Sequence, residues 1–197
     1  MDRLKQLASH FAQPGSGKGR EALFQQSPDD VVITFARRTA LCRAKKGGFR
    51  DTHTDELMTG IFTAVVQHSG IDPKHFQDIT VGNVLSPKAT FEARAAAITA
   101  GIPQEVPLSV CNRFCSSGLL AVSQIANAIR AGQIDCGLAV GVESMSSNED
   151  AGPGQLSDDI INHPVANDTT KPMGWTSENV AGDFAIPRTR MDEFAAL

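Results

Sequence analysis

The order of apolar segments predicts an α/β protein with a largely parallel sheet. Between Val31 and Val142, short apolar runs of strand length alternate with segments whose apolar residues recur at helical spacing. The strand-like runs are mostly continuous, as in parallel strands covered on both faces. After Met145 the composition shifts to Asp, Asn, Gly, Ser and Pro, which marks the end of the alternating region. Three divisions follow: residues 1–29, a leader and linker; residues 30–146, an α/β domain; and residues 147–197, a second segment that begins as loop and turns.

Pro14, Gly15, Ser16, Gly17, Lys18 and Gly19 form a flexible linker. Their glycine spacing is not that of a phosphate-binding loop, and no strand precedes them. Val31-Val32-Ile33-Thr34-Phe35-Ala36 predicts a buried strand with a central, parallel place. The basic stretch that follows, from Arg37 to Phe49, reads as solvated surface, with phosphate binding as the alternative. Thr54 serves as a capping residue ahead of Asp55 and Glu56, and opens a helix carrying Leu57, Ile61, Ala64, Val65 and Val66. Gly70 ends that helix, Asp72-Pro73-Lys74 turns, and residues 79–84 form the next strand. Residues 91–100 are an alanine-rich helix. Its Ala93, Ala96 and Ala97 would suit either a subunit contact or packing inside the domain. His53, His68 and His75 share no ligand spacing and read as surface residues.

Residues 108–111 make a further strand, followed by the turn Asn112-Arg113-Phe114 and then Cys115-Ser116-Ser117-Gly118. From Leu119 a helix runs through Val122, Ile125, Ala126 and Ile129 to Gly132. Residues 135–142 are the last strand of the alternating region. A cysteine at a strand-to-helix turn is suited to nucleophilic chemistry, because the unpaired N–H groups and positive end of the helix favour thiolate over thiol. The competing reading is a structural cysteine, since free Cys is among the most buried residue types. The helix after Cys115 is apolar nearly all round, so cover is expected on more than one of its faces.

Composition narrows the function classes. The chain has 197 residues, 41% hydrophobic and 20% charged, ordinary for a globular protein with a sizeable core. Its net charge of -4 leaves no electrostatic footprint for nucleic acid. No apolar run approaches the ~18 residues that a spanning helix needs, so no membrane span is expected. The four cysteines, Cys42, Cys111, Cys115 and Cys136, contain no CxxC pair and no usual zinc spacing. They read as reduced thiols, one of them reactive, with no metal site.

Asn112-Arg113-Phe114-Cys115-Ser116-Ser117-Gly118-Leu119, followed by Gly141-Val142-Glu143-Ser144-Met145-Ser146, resembles the nucleophile segment of the thiolases. Arg94-Ala95-Ala96-Ala97 with Ala100-Gly101-Ile102-Pro103, and Pro172-Met173-Gly174-Trp175-Thr176-Ser177-Glu178-Asn179-Val180-Ala181, extend the likeness from about Asp30 to the last residue. The pattern is that of the peroxisomal 3-ketoacyl-CoA branch, of fungal type. The resemblance implies a thiolase fold, with residues 30–146 as its N-terminal α/β half and residues 147–197 as the start of the loop domain. It implies that Cys115 accepts the acyl group from a 3-ketoacyl-CoA, with its backbone N–H as one oxyanion donor. Coenzyme A and acyl-CoA would be substrates, with no cofactor. Met173 would line the acyl and pantetheine pocket, and a homodimer is implied, with the alanine-rich helix near its contact. Phe114 stands where that branch has Gln, and Trp175 replaces a smaller aliphatic residue.

Near the N-terminus, Arg3-Leu4 and His10-Phe11, with a five-residue spacer, resemble a type-2 peroxisomal targeting signal. That implies an import receptor as partner and the peroxisomal matrix as destination. A frayed amphipathic N-terminus would show the same residues. The family also uses a His and a second Cys for proton transfer, from motifs in its C-terminal half. Neither motif occurs here, and His163, in an Asn-His-Pro stretch, suits a turn better than a base. The last residues, Asp192 to Leu197, fall within a helical pattern without a stop signal. The chain therefore reads as about half of a thiolase, incomplete and inactive alone. A non-catalytic product acting as import cargo or dimerisation partner is the alternative. A redox or metal thiol protein is disfavoured by the lack of further ligands.

Overall fold

The computed structural model describes residues 26–148, 152 and 154–197, so Arg3, Leu4, His10 and Phe11 lie outside the described residues. The chain divides into two compact units, Met1–Ser147 and Asn148–Leu197. In the first, α1 (Thr54–His68) leads through a short 3-10 turn (Pro73–His75) to β1 (Asp78–Gly82) and α2 (Ala89–Thr99). Then follow β2 (Leu108–Cys111), α3 (Ser117–Arg130) and β3 (Gly137–Gly141).

The three strands form one parallel sheet in the order β2-β1-β3. Val81 of the central strand stands opposite Val110 on one side and Val140 on the other. Ile79 and Val81 are fully buried, as a central parallel strand requires. α1 contributes Met58, Phe62 and Val65 to the core, and α2 contributes Ala93, Ala96 and Ala97. Small side chains on α2 let it lie close to α1, against which it packs. The alanine face is thus used inside the domain, leaving Phe91 and Ile98 as the exposed apolar residues of α2. The Arg94 guanidinium donates to the carbonyl oxygens of Val106 and Gln104, tying α2 to the approach to β2.

The start of α1 differs from expectation by one residue. His53 is the N-cap, and its N–H donates to Glu56 Oε2 at 2.8 Å, while Thr54 is buried as the first helical residue. The carboxylate does the capping here, reaching back over one turn.

A larger correction concerns residues 31–36. They form no strand: Val32 and Ile33 are 71% and 75% exposed, and among the described residues no backbone group of this stretch joins a ladder. β1 holds the central place instead. Residues 31–44 line one wall of a cleft of about 920 Å³, with β3 among the residues lining it. An apolar run becomes a strand only by pairing, and the cleft keeps this one apart from β3. Of the run, Phe35 packs against the core, with the Arg37 guanidinium 5.5 Å from its ring centre.

α3 also departs from expectation. Ser117, Ala121 and Ile125 are buried, but Leu119 is 71% exposed and Val122 41%. One face meets the sheet and the other stays open, because within this unit a single layer covers the helix.

The second unit holds α4 (Asp158–Ile161), α5 (Pro164–Asp168), α6 (Met173–Asp183) and α7 (Arg188–Ala195), with no buried residue in any of them. The beginning of this segment, expected to be loop and turns, carries two short helices, α4 and α5. Residues that favour turns also cap helices: Asp158 and Asp159 occupy the first turn of α4, and Pro164 the first turn of α5. α6 and α7 each begin directly behind a proline, Pro172 and Pro187. An exposed Arg188–Asp192 pair at 2.8 Å bridges one turn of α7 and contributes a few tenths of a kcal/mol, ~0.3–0.5.

Candidate active site

In open α/β sheets, ligands bind beyond the carboxyl ends of the strands. Three loops leave the sheet there: the one beginning at Asn83 after β1, the Cys115 turn after β2, and the one beginning at Val142 after β3. The Cys115 turn is stapled by its own side chains. Asn112 Oδ1 accepts from the Phe114 N–H at 2.9 Å. Ser117 Oγ accepts from the Arg113 N–H at 2.8 Å and donates to the Phe114 carbonyl at 2.6 Å. Backbone bonds from Ser116 to the Arg113 carbonyl and from Ser117 to the Phe114 carbonyl complete the reversal.

The reversal depends on Phe114, whose φ of 49° lies in the left-handed region. Bulky residues seldom adopt it, and such outliers are held by their surroundings. Two cysteines a turn apart therefore meet different environments. Cys115 is exposed. Cys111 is partly buried, its thiol directed to the Ser117 carbonyl at 3.6 Å.

The N-terminus of α3 comes close to the sheet because glycine allows it. A Cβ on Gly82, the last residue of β1, would lie 2.5 Å from the Ser117 carbonyl carbon and oxygen. A Cβ on Gly141, at the end of β3, would lie 3.4 Å from the Gly118 Cα. The end of α3 that follows Cys115 thus rests directly on the backbone of β1 and β3.

Side chains that sequence reasoning passed over knit the three loops together. Asn83, 2% exposed, donates to the Val142 carbonyl at 2.9 Å and to Glu143 Oε1 at 3.2 Å, and accepts from the Ser86 N–H at 2.9 Å. Glu143 also accepts from the Val84 N–H at 2.9 Å and the Leu85 N–H at 3.3 Å. Asn112 Nδ2 donates to the Val84 carbonyl at 3.2 Å. The sequence signal was slight: Asn83 and Glu143 are each the first polar residue beyond an apolar strand.

Among the described residues, the other candidates share none of the hydrogen bonds of this turn. His163 is the N-cap of α5, and its Nδ1 accepts from the Ala166 N–H at 3.2 Å. Met173 is the first residue of α6, 76% exposed, in the second unit. Cys42 is exposed like Cys115, so exposure alone does not single out the nucleophile. Burial pushes the Cys136 thiol up from its ordinary value, making it a weaker nucleophile near neutrality. Among the described residues, no group of three or more His, Cys, Asp or Glu side chains could hold a metal ion. The described helices include none long and apolar enough to cross a membrane.

What this geometry supplies is an exposed thiol at the head of a helix, at the carboxyl end of a parallel sheet, with Ser116 and Gly118 beside it. That combination suits attack on an acyl carbonyl.

Comparison with known proteins points the same way. The family model described as thiolase, N-terminal domain, matches residues 31–197. The chain is 47% identical over 200 residues to the peroxisomal 3-ketoacyl-CoA thiolase of Yarrowia lipolytica, covering 100% of this chain and 48% of that protein. It is 49% identical over 203 residues to the peroxisomal 3-ketoacyl-CoA thiolase of Homo sapiens, covering 99% and 48%. The crystal structure of the dimeric peroxisomal thiolase of Saccharomyces cerevisiae superposes with a TM-score of 0.84 at 40% identity, over 90% of this chain and 47% of that one. The chain spans about half the length of the curated relatives it matches.

Proposed function

The chain belongs to the thiolase N-terminal domain family, and from that premise we propose that Cys115 is the acyl-accepting nucleophile of a 3-ketoacyl-CoA thiolase. The observation that carries this reading is the exposed Cys115 thiol on the stapled turn into α3. The Cys115 thiolate attacks the 3-keto carbon of the substrate, and the bond between C2 and C3 breaks. The electron pair leaves on C2, which takes a proton to give acetyl-CoA, while the shortened acyl group stays on sulfur as a thioester. The thiol of a second CoA, losing its proton, attacks that thioester. Acyl-CoA leaves and the Cys115 thiolate is restored. The Cys115 backbone N–H is one donor to the oxyanion that develops. The proton transfers are assigned to no residue of this chain.

Several further assignments belong to the same reading. Met173 contacts the acyl or pantetheine part of the substrate. The protein works as a homodimer in the peroxisomal matrix, supported by the relatives' names and by the dimeric yeast structure. Arg3, Leu4, His10 and Phe11 are read by an import receptor.

Alkylation mapping tests the nucleophile. With iodoacetamide at neutral pH, Cys115 should label first among the four cysteines in the folded chain. Equal labelling of Cys42, which is also exposed, would sink the assignment. The Cys136 labelling curve should lie at higher pH, since burial disfavours its thiolate and the thiol must lose its proton to react.

A further inference from the structure

The Cys115 turn is anchored from outside as well as by its own residues. The Glu143 carboxylate, just past β3, takes three N–H donors: Val84 N–H on Oε2 at 2.9 Å, and Leu85 N–H at 3.3 Å and Asn83 Nδ2 at 3.2 Å on Oε1. From the same Val84, the carbonyl oxygen accepts from Asn112 Nδ2 at 3.2 Å. The other end of that amide, Oδ1, accepts from the Phe114 N–H at 2.9 Å. A continuous path thus runs from the carboxylate through the Val84 backbone and the Asn112 amide to Phe114. Phe114 is the residue whose positive φ sets the direction in which the chain enters Cys115.

We propose that Glu143 is a positioning residue for Cys115, acting through Val84 and Asn112. The inference rests on the reading of Cys115 as nucleophile. Charge-assisted bonds to an ionised carboxylate are the stronger kind, and here all the partners are donors. Glutamine cannot replace the carboxylate, because one of its two terminal atoms is an NH2 group. Either Val84, or Leu85 with Asn83, would then face a donor and lose its acceptor. Loosening of the loop at Val84 frees Asn112, and the Phe114 turn loses one of the bonds that hold its strained backbone.

The test measures the alkylation rate of Cys115 relative to Cys42 in the same 197-residue chain. Cys42 lies outside this network and serves as the internal reference. Glu143→Gln should lower the ratio about fivefold, the scale expected when charge-assisted bonds are partly lost. Asn112→Ala should lower it comparably, and the double variant no further than either single one, because both act along one path. An unchanged ratio in Glu143→Gln, or effects that multiply in the double variant, would overturn the proposal. Should Glu143→Gln fail to fold, amide exchange in Asn112→Ala decides. Faster exchange at Val84 and Leu85 supports the coupling, and unchanged exchange overturns it. If Cys115 in the unsubstituted chain labels no faster than Cys42, the nucleophile reading fails. Faster Phe114 amide exchange in Glu143→Gln would still support the structural coupling, and unchanged exchange would end it.

Discussion

With φ at 49°, Phe114 occupies a conformation that costs an ordinary L-residue about 1–2 kcal/mol, and the bonds from Asn112 and Ser117 offset that cost. The ring of Phe114 is 78% exposed, so its apolar area does nothing to hold the turn. Hydrogen bonds hold it. Thiol chemistry at this scale divides four cysteines three ways. Cys115 and Cys42 are open, Cys111 is engaged with a carbonyl, and Cys136 is discouraged from ionising by burial. Cys115 stands at the start of α3 and Cys42 in a loop, which is why their relative labelling rate is the informative measurement.

At the scale of elements, the contact of α3 with the sheet decides where Cys115 stands. Gly82 allows the Ser117 backbone to approach so closely that a methyl group there would overlap it at 2.5 Å. The obstacle is main chain, which cannot swing aside as a side chain would. Gly82→Ala should therefore lower stability by about 1–3 kcal/mol, as overpacking does, and should slow Cys115 labelling by moving the start of α3. Chemical denaturation checks the first effect and alkylation the second. Wild-type stability in Gly82→Ala would mean that α3 can shift without cost.

Across the whole molecule, apolar surface is left open on two helices of the first unit: Leu119 and Val122 on α3, Phe91 and Ile98 on α2. Fully burying a large apolar side chain is worth about 1.5–3 kcal/mol, comparable over a few residues to the net stability of a domain, ~5–15 kcal/mol. Residues 1–197 by themselves should therefore self-associate, which sedimentation velocity will show as species larger than a monomer. They should also lack measurable thiolysis of acetoacetyl-CoA, since the proton transfers are assigned to none of their residues. A cooperatively folding monomer, or turnover that disappears with Cys115→Ala, would contradict this. The proposed targeting role of the N-terminal residues is tested on the whole chain: Arg3→Glu combined with His10→Asp in a fluorescent fusion should leave the protein cytosolic. Persistent peroxisomal puncta would exclude the targeting role of those residues.

The strand-to-helix turn at Cys115, the parallel α/β order from Thr54 onward, and the strand bounds at Leu108 and Cys111 were legible in the residues themselves. Each depends on local signals, namely apolar periodicity, turn residues and glycine after a helix, which act over a few neighbouring positions. The apolar run at residues 31–36 misled for the complementary reason. Its composition suits a strand, but pairing is a matter of which edge lies within hydrogen-bonding reach, and here a cleft intervenes. The open face of α3 was equally hidden, because a sequence shows which surfaces need cover and not what arrives to cover them. Glu143 and Asn83 emerged only from the tertiary structure. Both bond across loops, over 58–60 residues along the chain, and no local spacing brings a carboxylate to a backbone N–H over that separation. Parallel pairing of β1 and β3 does so, by bringing their carboxyl ends side by side.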